Sequence, residues 1–210
     1  MDDIRPLFTA SDVKTVSKDR AFDGFFKIDR YRLSHRLFEG GWSAELQREL
    51  FVRDDATCVL PYDAVTDQVI LLEQFRIGAL GHNQSPWLLE LVAGINDEGE
   101  TPEVVARREG LEEAGIELGE LKPICQYLVS AGGTNEKIHL YCGQVDASTA
   151  HGVHGLEHEG EDIKVHVVKA QEAFEYVASG RINNAASIIA LQWLQLNHDR
   201  LRVDWTNNRV

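Results

Sequence analysis

Three glutamates, Glu109, Glu112 and Glu113, stand at i, i+3 and i+4 in the stretch ARREGLEEAG. On a helix this spacing stacks the three carboxylates on one face, with neighbouring Cβ atoms about 5–6 Å apart. Like charges so placed repel, and the arrangement becomes favourable when a cation sits among them. Clustered hard oxygen donors suit Mg2+ or Mn2+, and a cation held this way can polarise a phosphate and activate water against it. A solvated acidic face would use the same three residues, so the wider pattern has to separate the two. It reads Gly94-x5-Glu100-x7-Arg108-Glu109-x-x-Glu112-Glu113-x-Gly115 followed by apolar Ile116, a long gapped constraint that chance rarely meets.

For the carboxylates to share a face the stretch must be helical, and its ends carry the right signals. Thr101 is a good N-cap, Pro102 suits the first helical position, and Gly115 sits where a left-handed stop is expected. The spacing predicts a helix over 102–114, with Val104, Val105 and Leu111 turned to a core. Around it, TCVLPYDAV and QVILLEQFRI read as strands joined by a turn at Asp63–Asp67, and WLLELVAG as another apolar run ending in glycine. More strands fall near 121–129, 138–145 and 163–168, and helices at 170–179 and about 184–198. The last helix shows a broad apolar face of Ala185, Ile188, Ile189, Leu191, Leu194 and Leu196. Such irregular alternation predicts an α/β fold, a mixed sheet covered by helices. HGVHGLEHEGED, at 151–162, reads as a polar surface loop.

Residues 1 to about 50 have a different texture. FFKIDRYRLSHRLF alternates apolar and polar residues like a half-buried strand, EGGWS supplies a turn, and AELQRELFVR is extended or a short helix. A module this small can hardly bury its own core. It should pack on the main domain or on a second subunit.

The bulk properties narrow the partners. With 21 basic and 34 acidic residues in 210, the formal charge of −13 disfavours nucleic acid and anionic membranes. A phosphate substrate would therefore need local cations and aimed arginines. The acidic start MDDIRPLFTASD lacks the apolar segment of a signal peptide, and no apolar run approaches the ~20 residues of a membrane span, so the expected location is cytoplasmic. Cys58, Cys125 and Cys142 are scattered and read as small core hydrophobes. His151, His154, His158 and His166 read as ordinary loop histidines rather than a transition-metal site.

The gapped pattern resembles the box of the Nudix hydrolase family, G-x5-E-x7-R-E-U-x-E-E-x-G-U with U apolar, and matches it at every fixed position. Gly110 stands where the family usually has a larger apolar residue, at about 1 kcal/mol of helix stability relative to Ala. From GFF at 24–26 to LQWLQLNH at 191–198 the chain is similar to the bacterial members that cleave ADP-ribose; WLLELVAG, SAGGTNEK, HGLEHEGEDIKVHVV and INNAASIIALQWLQL all have counterparts there. The resemblance implies an α/β/α sandwich with a mixed sheet, residues 54–210, and a small N-terminal antiparallel β-domain, residues 1–53, exchanged across a homodimer.

It also implies roles. Mg2+, with Mn2+ as a substitute, would be held by Glu109, Glu113, Glu161 and the Ala93 carbonyl, with Glu112 a further or shared ligand in the catalytic set. Glu159, on the acidic loop, would be the general base, and Glu100 with Arg108 a structural pair. Arg48, Arg53 and Arg76 would hold the diphosphate, and Phe25 and Phe26 would stack adenine, with core packing the competing role for at least one of them. Ser130, Ala131, Gly132 and Glu136 would line the terminal ribose, and Glu49 would reach adenine or ribose from the partner subunit. Ala131 stands where these enzymes often carry proline. Related enzymes of the same fold cleave GDP-mannose and other nucleotide sugars, so selectivity turns on a few contacts. A non-catalytic ADP-ribose sensor would be expected to lose box glutamates, and this chain keeps them all.

Overall fold

Turn chemistry sets the frame of the larger part of the chain. In the computed structural model, which describes residues 4–82 and 85–207 with the Glu159 side chain excluded, strands β4 (Ala56–Asp63) and β5 (Gln68–Phe75) form a hairpin. Asp63 Oδ1 accepts from the amides of Val65 and Thr66 at 2.8 and 3.1 Å, and Asp67 takes the positive φ of 55° that closes the turn. The two strands pair only at Tyr62–Val69 and Asp63–Gln68 and then part. The chain fills the gap itself: β6 (Trp87–Glu90) runs antiparallel to β5, reverses at buried Leu91, and returns as β7 (Val92–Ile95) antiparallel to β4. The apolar run WLLELVAG is therefore two short strands bent into a wedge.

The rest of the sheet grows from both sides of this wedge. Strands β8 (Leu121–Leu128), β9 (Lys137–Gln144), β10 (Val153–His154) and β11 (Ile163–Lys169) complete the order β10-β11-β5-β4-β9-β8, with β4 and β9 parallel. Successive side chains alternate between faces, and the two faces build two cores. Val59, Ile70, Leu72, Val92 and Ile163 pack with Ala106 and Ala114 of helix α1 (Pro102–Ala114). Leu60, Tyr62, Leu71, Leu91 and Leu140 pack with Phe174 of α2 (Ala170–Ala178) and Leu191, Leu194 and Trp205 of α3 (Ala185–Asn207). The result is a mixed sheet between helical layers. No helix among the described residues is long and apolar enough to cross a membrane.

Some sequence expectations change here. Of Val104, Val105 and Leu111, only Val105 is buried; the other two lie on the outer side of α1. The buried positions of α1 are Val105, Ala106, Gly110, Glu113 and Ala114, a narrow face because the carboxylate side also turns toward the sheet. The last helix runs to Asn207, and Leu196 on it is exposed while Leu201 and Trp205 are buried, since the contact stripe continues beyond the predicted end. Cys58 and Cys142 are core residues, but Cys125 lies exposed on the sheet's edge strand β8.

A second compact unit comprises Met1–Asp54 together with Leu128–Glu136. In its three-stranded antiparallel sheet, β1 (Val13–Asp23), β2 (Lys27–His35) and β3 (Leu46–Val52), the central β2 pairs with β1 over 27–35, with irregularities at Thr15/Ser17 and Arg20/Phe22, and with β3 over 27–33. AELQRELFVR resolves as strand, not helix, over Leu46–Val52. Among the described residues of this unit no apolar side chain is buried; the buried ones are Asp29 and Thr134. Asp29 is held by Arg20 Nε at 2.5 Å and Lys18 Nζ at 3.0 Å, which keep its carboxyl below the usual range.

Candidate active site: a glutamate helix against a splayed sheet

The three glutamates share a helix but not an environment. Thr101 caps α1 by accepting from Val104 N, Pro102 opens it, and Gly115 (φ 63°) ends it with its N–H on Gly110 and Leu111 carbonyls. Within this frame Glu113 turns into the sheet, is 2% exposed, and accepts from Ala93 N of β7 at 2.8 Å. Glu109 lies flat on Gly94: a Cβ at that position would fall within its carboxylate. The box glycine is thus a space requirement, met because Gly alone leaves β7 bare beneath the carboxylate. Glu112 stays toward the surface, and its backbone carbonyl accepts from Gly155 N at 3.4 Å.

Arg108 organises this cluster. Its Nη1 donates to Glu109 at 2.6 Å and Glu112 at 3.0 Å, while Nε and Nη2 meet Glu100 at 3.3 and 3.2 Å and Nη2 reaches the Ile95 carbonyl at 3.4 Å. The Glu100–Arg108 pair expected from the sequence forms, and it lowers the Glu100 pKa. Gly110 also finds its reason. It is buried against the Ile116 carbonyl and the Leu118 side chain, which a Cβ would meet at 3.3 and 3.4 Å, so Leu118 fills the room a larger residue would take.

The electrostatics show what the cluster lacks. Burial pushes Glu113 up to about 8; repulsion from Glu109 and Glu161 adds to this, against the Ala93 amide and Arg76. Burial also raises Glu109 to about 7, with Glu112 and Glu161 adding and Arg108 opposing. Glu161, whose Oε2 accepts from Leu156 N at 3.0 Å, thereby belongs to the same field as the helix glutamates. As anions these groups are short of positive charge, and a hard divalent cation is the species that supplies it. Among the described residues no three His, Cys, Asp or Glu side chains already stand grouped around one point as a metal site. The donor set fits such an ion in chemistry: carboxylate oxygens on a buried floor.

Beside the cluster, β5 runs into Arg76. Its Nε donates to Glu90 Oε2 of β6 at 2.7 Å. Arg76, Leu88 and Glu90, with Ser85, Asn183 and Asn184, border a cavity of about 550 Å³. Glu90 and the asparagines were not singled out from the sequence; Glu90 follows the apolar run WLL and signals nothing until the wedge sets it opposite Leu72. Asn184 is fixed twice, donating to Leu89 O at 2.7 Å and accepting from Ser187 N at 3.1 Å at the start of α3.

The remaining expected contacts lie in the smaller unit. Phe26 packs edge-on to Phe51 (5.0 Å) and Phe25 (4.9 Å), and Arg53 stacks over Phe26 at 5.2 Å. Arg53 also pairs with Glu136 at 3.1 Å, and its backbone exchanges two hydrogen bonds with the Asn135 side chain. Ser130, Ala131 and Gly132 form an exposed turn, closed by Gly133 N and Thr134 N on Ser130 O. Phe25 is 91% exposed. Arg48 is exposed with its guanidinium on Gln47 O, and Glu49 faces Arg30 at 3.5 Å. So Phe26, Arg53, Glu136 and the 130–134 turn come together, while Arg48 and Glu49 stand on β3. The Glu159 side chain lies outside the described residues; its backbone is in a short 3-10 turn, Glu157–Glu159.

A splayed mixed sheet with an acidic helix laid across its wedge gathers carboxylate oxygens over a strand floor, a donor set that suits a hard cation. The chain belongs to the NUDIX family, whose domain model matches residues 52–191. An Escherichia coli protein named ADP-ribose pyrophosphatase is 49% identical over 204 residues, 97% of this chain and 98% of its own. An Escherichia coli GDP-mannose pyrophosphatase is 34% identical over 189 residues, 88% and 96% of the two chains. A crystal structure described as an ADP compounds hydrolase superposes with a TM-score of 0.65 at 19% identity, covering 88% of this chain and 95% of that one, which speaks to the fold alone.

Proposed function

We propose that the protein is a Mg2+-dependent hydrolase that cleaves the diphosphate of ADP-ribose, with water, into AMP and ribose 5-phosphate. The observation that carries this is the carboxylate cluster of α1 laid on β7: buried Glu113 on Ala93 N, part-buried Glu109 over Gly94, and Arg108 joining Glu109 to Glu112, with burial raising Glu113 and Glu109 to about 8 and 7. The near-full-length likeness to an ADP-ribose pyrophosphatase favours ADP-ribose over the other nucleotide sugars. The 34% identical GDP-mannose pyrophosphatase keeps GDP-mannose as the second substrate to test.

When bound, Mg2+ or Mn2+ would neutralise the bridging phosphates and lower the pKa of a water. Glu109, Glu113, Glu161 and the Ala93 carbonyl would hold it, with Glu112 shared. Ala93 N keeps Glu113 aimed, and Arg108, shared between Glu109 and Glu112, offsets their mutual repulsion and holds both carboxylates in place. Glu159 would take the proton of the attacking water, and its place on a loop lets it approach after substrate binds. Arg76 would hold a phosphate oxygen; Arg48 and Arg53 would add charge-assisted contacts. Phe26, and Phe25 with it, would stack adenine. Ser130, Ala131, Gly132 and Glu136 would face the terminal ribose, and Glu49 the nucleoside.

The protein would act as a cytoplasmic homodimer, residues 1–53 crossing to a second copy. A small sheet with no buried apolar side chain favours this, because such a unit gains little from folding by itself. The test is AMP or GMP release from ADP-ribose, GDP-mannose, ADP-glucose and NADH with and without Mg2+. ADP-ribose among the fastest, and no turnover with EDTA, is the expected result; slow ADP-ribose cleavage beside fast GDP-mannose cleavage would reverse the substrate assignment.

A further inference from the structure

One group on the α1 side of the wedge has no task in the reading above. Gln74 follows Ile70 and Leu72 on β5 at intervals of two and so shares their face, the one covered by α1. It is 6% exposed, and its Nε2 has no hydrogen-bond partner among the described residues. Leaving a buried donor unmade is costly, so such a group in a folded protein calls for an explanation, a functional role among them.

The register names the partner. Gln74 stands opposite Leu88 of β6, and Leu72 opposite Glu90. Glu90 is therefore the diagonal neighbour of Gln74, about 7–8 Å away between Cα atoms, within reach of two long side chains. At present Glu90 bonds Arg76, which lies two residues beyond Gln74. One carboxylate thus has two donors near it: a guanidinium that holds it and an amide Nε2 with no partner among the described residues. The Gln74 Nε2 atom is sealed from solvent, so a side chain that moves suits it better than the substrate itself.

We propose that Gln74 is a positioning residue for the diphosphate: as a phosphate oxygen takes Arg76, the released Glu90 carboxylate passes onto the Gln74 amide. This rests on Arg76 as a phosphate-binding residue. Without the amide, the displaced carboxylate would stand uncompensated beside an anionic substrate, and its repulsion would oppose binding. Gln74 is neutral, so it receives Glu90 without holding it in the free protein against the stronger guanidinium.

Gln74→Met keeps the shape and removes the amide. KM for ADP-ribose, and Kd for its non-hydrolysable α,β-methylene analogue, should rise about tenfold, while kcat stays within about twofold. The melting temperature of the ligand-free protein should stay level or rise, because an unpartnered buried donor is lost. In a Glu90→Ala background, Gln74→Met should leave Kd unchanged, since no carboxylate needs a place. The same tenfold weakening in both backgrounds, or a lower melting temperature with unchanged KM, would overturn the proposal. If wild type neither cleaves ADP-ribose nor binds the analogue, the substrate assignment falls and takes this inference with it. Normal wild-type binding with an unaffected Gln74→Met sinks the inference alone.

Discussion

The two units of this chain spend their polar residues in opposite ways. In the larger one, charge is buried against the grain: Glu113 and Glu109 sit on the floor of a packed wedge and are pushed to about 8 and 7. In the smaller one, the buried carboxylate Asp29 is matched by Arg20 and Lys18, while the apolar side chains stay outside. The first unit keeps an electrostatic deficit that a cation can fill. The second keeps an apolar deficit that a nucleobase or another protein surface can fill. Each deficit points to a different kind of partner, charge for the first and apolar surface for the second.

This contrast assigns different kinetic signatures to the two units. The largest effect should come from Glu159→Gln, where kcat falls by about 10²–10⁴-fold with ADP-ribose affinity retained, as for loss of a general base. Wild-type turnover in that variant, read by AMP release, removes Glu159 from the mechanism. Next, Glu113→Gln should cut activity by more than about a hundredfold through Mg2+ affinity. Its metal-free melting temperature should hold or rise, because a buried carboxylate that gains a proton near pH 8 is replaced by a neutral amide. A Mg2+ titration that saturates as in wild type would contradict the ligand role.

In the smaller unit the loss should move to KM. Phe26→Ala, removing one stacking face, should raise KM for ADP-ribose about tenfold and leave kcat nearly unchanged. A fall in kcat alone would erase the division between the units. The smallest effect concerns stability. Arg20, then Lys18, hold the Asp29 pKa below its ordinary value, so this contribution is complete above about pH 4, the unfolded value, and is lost as pH falls through the lower folded one. Asp29→Asn should therefore lower the melting temperature more at pH 7 than at pH 2. Equal losses at both would mean the site works by packing, not charge.

Much of the frame could be read without coordinates. The N-cap at Thr101, the stop at Gly115, the turn at Asp63–Asp67 and the apolar run of β5 are local, and the helix and strands fall where those residues require. Local pattern and fold part where side-chain direction depends on distant packing. Val104 and Leu111 have the residue type for a core and stand outside it, and Leu196 does the same on α3. WLLELVAG looked like one run because nothing in its composition announces the reversal at Leu91; β4 and β5 must part before there is a gap to bend into.

The sequence by itself determined that this chain carries a Nudix box, with its gapped glycines, glutamates and arginine, because each is a local demand of one loop and one helix. Only the tertiary structure decided that the three glutamates differ. Glu113 sinks onto Ala93, Glu109 covers Gly94, and Glu112 stays outside with Arg108. It also decided that Arg76 donates to Glu90, while the nearby Gln74 Nε2 is buried with no hydrogen-bond partner among the described residues. Spacing along a helix fixes which residues share a face, whereas burial, and with it charge, is set by whatever strand the fold lays beneath that face.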